Sequence, residues 1–174
     1  WLLFSIILFF KPKVICEVGS FIGKSTFSMA FAADAYSNEY KCLIYCCDHS
    51  NEINFPNITS TKIKQFHKKS STEMFRSFEN DQKIDLLHLD GRLQNEDFNL
   101  LKNNFTEKTI LILDDFEGNE KGVVNFNNLL NNKLISRKSH CLIYPIQEET
   151  KTKYGLLENS TSALLIPSGS LRIT

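Results

Sequence analysis

Short apolar runs recur along this chain, each followed by a polar or amphipathic stretch. VICEV (14–18), CLIYCC (42–47), IDLLHLD (84–90) and TILILDD (109–115) have the length and composition of strands. The nearly continuous apolar character of the last two predicts central strands buried on both faces of a parallel sheet. Between them lie stretches of helical period. One places Phe27, Ala30 and Phe31 on a single face; another runs from Ser70, whose spacing to Glu73 fits a capping box, through about Phe78. Phe98, Leu101 and Phe105 align in a third, and Val123, Phe126 and Leu130 in a fourth that begins near Gly122. Ile63 to Phe66 reads as a weaker strand. HCLIYPI (140–146) and SALLIP (162–167) close the chain as strands, joined by a polar connection without helical period. Strand–helix units followed by a strand pair predict an α/β fold with a mostly parallel sheet covered on both faces. No repeat, low-complexity tract or linker interrupts the sequence, so residues 1–174 are expected to form one domain.

Charge narrows the partners. Lys plus Arg and Asp plus Glu number 20 each, and a chain without basic surplus is poorly suited to hold nucleic acid by phosphate contacts. Lys62, Lys64, His67, Lys68 and Lys69 read as a solvated face. Five cysteines form no CxxC pair, and most fall in apolar runs, where a thiol behaves as a small hydrophobe. Their odd number and placement favour a reducing compartment, the cytoplasm, over a disulfide framework. The opening run WLLFSIILFF is too short to span a bilayer, which takes about 20 residues, and it lacks a basic leader and a cleavage site. It is expected to be a helix over residues 1–12, ended by Pro12 and packed on the core. A truncated membrane anchor is the competing reading, since Trp1 stands where an initiator Met would be.

EVGSFIGKS (17–25) is the stretch with most chemistry in it. It follows a strand and opens a helix, where backbone N–H groups face a ligand, and Gly19 and Gly23 permit backbone shapes that a Cβ would block. GKS invites a phosphate-loop reading, but GxxxxGK[ST] needs glycine where Val18 stands, and Glu17 places a carboxylate at the turn. GxGxxG is absent too, because position 21 is Phe21.

A glutamate near the end of the first strand, a GxxxG turn and Ser25 resemble motif I of the class I S-adenosylmethionine (SAM) dependent methyltransferases, and nearly the whole chain can be laid on that family. The resemblance implies a Rossmann-like, doubly wound, mostly parallel seven-stranded sheet with the last strand antiparallel, and SAM across the carboxyl ends of the strands. It implies that Glu17, Gly19, Ser20, Gly23 and Ser25 surround the methionine portion of SAM, and that Asp48 accepts hydrogen bonds from the ribose hydroxyls. Ser70 or Ser71 would contact the adenine edge, and Asp90 would also touch the cofactor. The chemistry is consistent: carboxylates suit a sulfonium and an ammonium, a helix N-terminus suits a carboxylate, and vicinal hydroxyls suit a bidentate acceptor.

Asp90 in HLDGRL and Asp114–Asp115 in ILDDFEG fall at the ends of neighbouring runs, so a parallel sheet would gather three carboxylates at one edge. Three like charges together call for a cation, a proton or a ligand. The segment looks like the DG…DD pattern of the methyltransferase-24 branch, which includes catechol-type and macrolide-sugar O-methyltransferases. In metal-dependent members the matching acids bind Mg²⁺, so the resemblance implies Asp90, Asp114 and Asp115 as metal ligands, with Asp90 and Asp114 as catalytic residues. The chain departs from the pattern at Arg92 and Leu93, where relatives carry an acid and a histidine. The general base is therefore unassigned, with His49, Lys121 and His88 as candidates, although His88 reads first as a core histidine. Arg92 suits an anionic acceptor. Alternatively, Asp114 and Asp115 cap the following helix.

The expected function is SAM-dependent methylation of an oxygen on a small molecule or sugar. A SAM- or sugar-binding module without turnover is the second reading, and a nucleotide-dependent enzyme using the GKS turn the third.

Overall fold

Alternation along the strands decides which layer each side chain joins. The computed structural model describes residues 2–50, 59–79, 81–135, 140–143 and 161–166. In chain order the elements are α1 (Leu2–Phe10), β1 (Val14–Val18), α2 (Lys24–Asp34), β2 (Leu43–Asp48), β3 (Lys62–His67), α3 (Ser71–Arg76), β4 (Leu86–Leu89), α4 (Asp97–Asn104), β5 (Ile110–Leu113), α5 (Lys121–Asn131), β6 (His140–Ile143) and β7 (Ser162–Leu165). Cys16 and Val18 of β1, Leu87 and Leu89 of β4 and Leu111 and Leu113 of β5 face α3, α4 and α5, where they meet Met74, Phe98, Leu101 and Leu129. The intervening residues Ile15, Leu86, Ile110 and Ile112 face the other way, onto Ile6 and Ile7 of α1 and Met29, Ala30 and Ala33 of α2. Burial on both faces is what the apolar runs demanded.

The seven strands lie in the order β3-β2-β1-β4-β5-β7-β6. All pairs among the first five are parallel, whereas β7 runs antiparallel to both β5 and β6. This is the Rossmann-like doubly wound sheet expected, antiparallel in its last strand. The sheet grows from β1 in one direction through β2 and β3, then in the other through β4 and β5. A crevice at the carboxyl ends of β1 and β4 follows from that switch, and ligands bind there in open α/β sheets.

Local chemistry sets the ends of the helices. Ser70 and Glu73 form the capping box foreseen for α3, although the helix stops at Arg76 rather than near Phe78. α1 stops at Phe10, ahead of Pro12, whose missing N–H and fixed φ do not suit a helix interior. Two helices are rotated from the faces read in the sequence. α2 turns Met29, Ala30 and Ala33 to the sheet, because alanines allow close approach, while Phe27 and Phe31 stack along its flank with ring centroids 6.2 Å apart. α5 buries Gly122, Asn125 and Leu129 in place of Val123, Phe126 and Leu130. Residues 144–146 and 167 of the two terminal runs, and nearly all of the polar connection between them, fall outside the described residues, as does Trp1.

Cys16, Cys42, Cys46 and Cys47 are free thiols in the core. Burial pushes Cys42 up to about 11 and Cys47 up to about 12, so both remain protonated packing groups. Among the described residues no helix is long and apolar enough to cross a membrane.

Candidate active site

The glycine turn is built against two neighbouring turns. Gly19 N–H and Ser20 N–H both donate to the carbonyl of Cys47, at 3.0 and 3.2 Å, and Gly23 N–H donates to the Ser20 carbonyl at 2.7 Å. Gly19 has φ +92°, and a Cβ there would stand 2.6 Å from the carbonyl carbon of Asp90 and 2.7 Å from the nitrogen of Gly91. Contact with the turn after β4 is thus enough to require glycine here. Gly23, at φ 81°, precedes α2 with no side chain capping the helix, so the first N–H groups of α2 stay available to an anionic group. Ser20 Oγ is buried with no hydrogen-bond partner among the described residues, its neighbour being the Cys46 thiol.

Asp48 holds this turn from below. One carboxylate oxygen accepts from Phe21 N–H and the other from Ser50 N–H, both at 2.7 Å. Partial burial would raise its pKa, but these hydrogen bonds outweigh that and hold it below the ordinary carboxylate value. The Ser50 hydroxyl also hydrogen-bonds the carboxylate, which leaves it limited capacity for a ligand hydroxyl.

Behind the turn runs a row of polar side chains on the α1/α2 face of the sheet. Glu17 is fully buried; it accepts a short hydrogen bond from the Thr26 hydroxyl and lies 3.0 Å from Nδ1 of His88, its register partner across β1 and β4. Burial opposes charge on His88, yet Glu17, with Asp114 and Asp90 beyond it, raises its pKa above the ordinary histidine value. Ser162 Oγ donates to Asp114 at 2.7 Å. Lys121 reaches from the first turn of α5 to Asp90 at 2.5 Å and Asp115 at 3.0 Å.

A cavity of about 360 Å³ opens among these groups. Its floor and far wall carry His88, Asp90, Ile112, Asp114 and Ser162, at the carboxyl ends of β4 and β5 and the start of β7. Lys24, Ser25 and Ser28 of α2 form the near wall, and Leu2 and Leu3 of α1 cover one side.

The structure brings Ser25, Asp90 and Asp114 together on the cavity wall. It places Glu17 one layer behind, with His88 on the wall. Ser70 forms the capping box of α3, and Ser71 donates to Asp97 at 2.5 Å. His49 and Arg92 are exposed.

The three-carboxylate Mg²⁺ centre does not fit. Among the described residues no group of three or more His, Cys, Asp or Glu is arranged to hold a metal ion. Asp90 and Asp115 grip the Lys121 ammonium, while Asp114 accepts from Ser162, so cationic and hydroxyl donors take the oxygens that a hard cation would need.

Sequence reasoning missed Asn125, which is fully buried in α5. Its Oδ1 accepts from Leu93 N–H at 3.0 Å and its Nδ2 donates to the Gly91 carbonyl at 2.8 Å, fixing the turn that carries Asp90. Asp97 was missed too; it gathers Ser71, Thr72 and Gln94 N–H. A polar residue one helical turn from the apolar stripe was the available signal for Asn125.

A family model described as a methyltransferase domain matches residues 16–116, from β1 into the turn after β5. That span exceeds half the chain. The chain belongs to this methyltransferase-domain family. The domain also resembles solved methyltransferase structures. An O-methyltransferase from Bacillus cereus in complex with S-adenosylhomocysteine (SAH) superposes with TM-score 0.62 at 14% identity, covering 94% of this chain and 79% of that one. An O-methyltransferase from Streptomyces achromogenes in complex with SAM gives 0.59 at 13%, covering 96% and 78%. A SAM-dependent methyltransferase from Agrobacterium tumefaciens gives 0.64 at 11%, covering 96% and 60%. At such identities the likeness is one of fold. No curated protein matches this chain in sequence.

Proposed function

We propose that this methyltransferase domain binds SAM at the crevice between β1 and β4 and transfers its methyl group to an oxygen of a small-molecule acceptor. The observation that carries the reading is the convergence, on one cavity, of the uncapped start of α2 with the carboxylates Asp90 and Asp114. A zwitterionic, cationic ligand needs this pairing: N–H groups for its carboxylate and anions for its positive centres. The unpartnered Ser20 Oγ and the lone pairs left on Asp48 supply further polar contacts beside the glycine turn. When bound, SAM supplies a methyl group activated by its sulfonium.

The residues on the wall then align and deprotonate the acceptor. An acceptor hydroxyl oxygen in line with the S–CH₃ bond forms the new C–O bond as that bond breaks. SAH leaves, and the hydroxyl proton passes to a carboxylate of the wall, Asp90 or Asp114. Holding two reactants in register supplies the larger part of the acceleration. Leu2 and Leu3 give one side of the cavity an apolar lining. The free core thiols suit a reducing compartment, and we assign the domain to the cytoplasm on that basis.

Calorimetry with SAM, SAH and ATP tests the donor: SAM and SAH should bind one to one, and ATP should not displace them. ATP binding in preference would instead favour the GKS turn as a nucleotide site. Release of SAH with a panel of hydroxylated acceptors tests turnover. Tight SAM binding with no SAH formed across the panel would point to a binding module.

A further inference from the structure

We propose that Lys121 is the built-in cation of this site: it takes the place between Asp90 and Asp115 that a divalent metal would need, and the domain works without one. The inference concerns the carboxylates alone and stands whether or not the cavity takes SAM.

Three observations carry it. The ammonium lies 2.5 Å from Asp90 and 3.0 Å from Asp115, so one cation bridges acids from two different turns, after β4 and after β5. The backbone that presents it is fixed. Gly122, next in sequence, packs so tightly on the turn after β5 that a Cβ would stand 2.4 Å from the Asp114 carbonyl oxygen, and its N–H donates to the Asp115 carbonyl at 3.2 Å. The Cα of Lys121 is therefore held within side-chain reach of both acids by the docking of α5. Asp115, finally, holds φ +51°, a backbone shape that side chains other than glycine rarely adopt, and in it the carboxylate meets the ammonium.

Charge and space both follow from the bridge. Two carboxylates facing one edge repel each other unless a positive group lies between them. Lys121 supplies one charge and N–H donors, whereas Mg²⁺ would require its oxygens at about 2.0–2.1 Å in an octahedral shell. An ammonium and a dication cannot share that place. Removing the ammonium should leave two carboxylates with unmet need for a cation, and so create a metal site where the described residues of the parent offer none.

The test is a Mn²⁺ titration of the full chain followed by electron paramagnetic resonance, with no SAM or acceptor present. The parent should leave Mn²⁺ free, and Lys121→Met should bind it at least tenfold more tightly. Asp115→Asn in the Lys121→Met background should remove the gained affinity. Lys121→Arg, which keeps a cation, should behave as the parent, and Lys121→Gln repeats the experiment should the methionine variant fail to fold. Parent protein that binds Mn²⁺ and loses it on Asp115→Asn would overturn the proposal. So would a folded Lys121→Met or Lys121→Gln protein with no gain over the parent. The titration does not read SAM, so failure of the donor assignment leaves its result intact.

Discussion

Glu17 Oε1 and His88 Nδ1 stand 3.0 Å apart across adjacent parallel strands, with His88 on the cavity wall and Glu17 behind it. Burial alone would lower the histidine's pKa, but its hydrogen bond and charge interaction with Glu17 raise it. A folded-state pKa above the unfolded value of about 6.5 gives stability that is fully present below that pH and lost as pH rises through the folded value. Chemical denaturation from about pH 6 to about pH 9 should show a decline. That decline should flatten in Glu17→Gln, which removes the charge that holds the proton. Glu17→Ala should be costlier, by about 1–3 kcal/mol for each buried polar group left without its partner, the Thr26 hydroxyl and the His88 ring nitrogen. An unchanged pH slope in Glu17→Gln would show that the pair does not titrate with folding.

Asp48 should matter for the shape of the glycine turn before it matters for any ligand. Asp48→Ala frees the N–H groups of Phe21 and Ser50, with a stability loss of about 1–3 kcal/mol. Asp48→Asn keeps one acceptor oxygen but turns an NH₂ toward the other N–H, so it should recover less than half. Both variants should bind SAM more weakly. Melting curves beside calorimetry would separate the two effects, and parent-like behaviour in both would remove Asp48 from the site.

Gly19→Ala should be a folding defect. The Cβ would enter the backbone of Asp90 and Gly91, and φ +92° is strained for any L side chain. We expect a loss of roughly 2–4 kcal/mol, at the upper end of single-substitution effects. A parent-like melting temperature for Gly19→Ala would mean the two turns can part without cost.

Asn125→Ala strands a buried N–H at Leu93 and a carbonyl at Gly91, for about 1–3 kcal/mol each. It should loosen the turn bearing Asp90 and lower SAM affinity as well as stability. Asn125→Asp should rescue only the acceptor half. Faster amide exchange at Leu93 in Asn125→Ala is the direct readout, and its absence would count against the role.

The sheet was legible because parallel strands buried on both faces leave continuous apolar runs, and because Ser70 and Glu73 sit at capping-box spacing. Helix rotation was not. The burial of Asn125 in place of a large apolar residue follows from hydrogen bonds to a turn more than thirty residues away, and no local period encodes that. The site was half legible for a similar reason. Strand ends locate Asp90, Asp114 and Asp48, but which partners their oxygens take depends on Lys121, Ser162 and the turn after β1. The metal expectation failed at this step: acids at one edge looked like a vacancy for a cation, and a lysine six residues beyond Asp115 already answers it.

The contact of Gly19 with Asp90 and Gly91 also bears on recombination between relatives. Gly91 is hemmed in turn, since a Cβ on it would lie 3.1 Å from Val18 Cγ1. A chimera whose crossover falls between β1 and β4 takes the two turns from different parents and joins them where not even a methyl group fits. Such hybrids should survive only when the parent that supplies the turn after β1 carries glycine at the Gly19 position, whereas crossovers placed after Asn125 inherit the two turns and their clamp as one block.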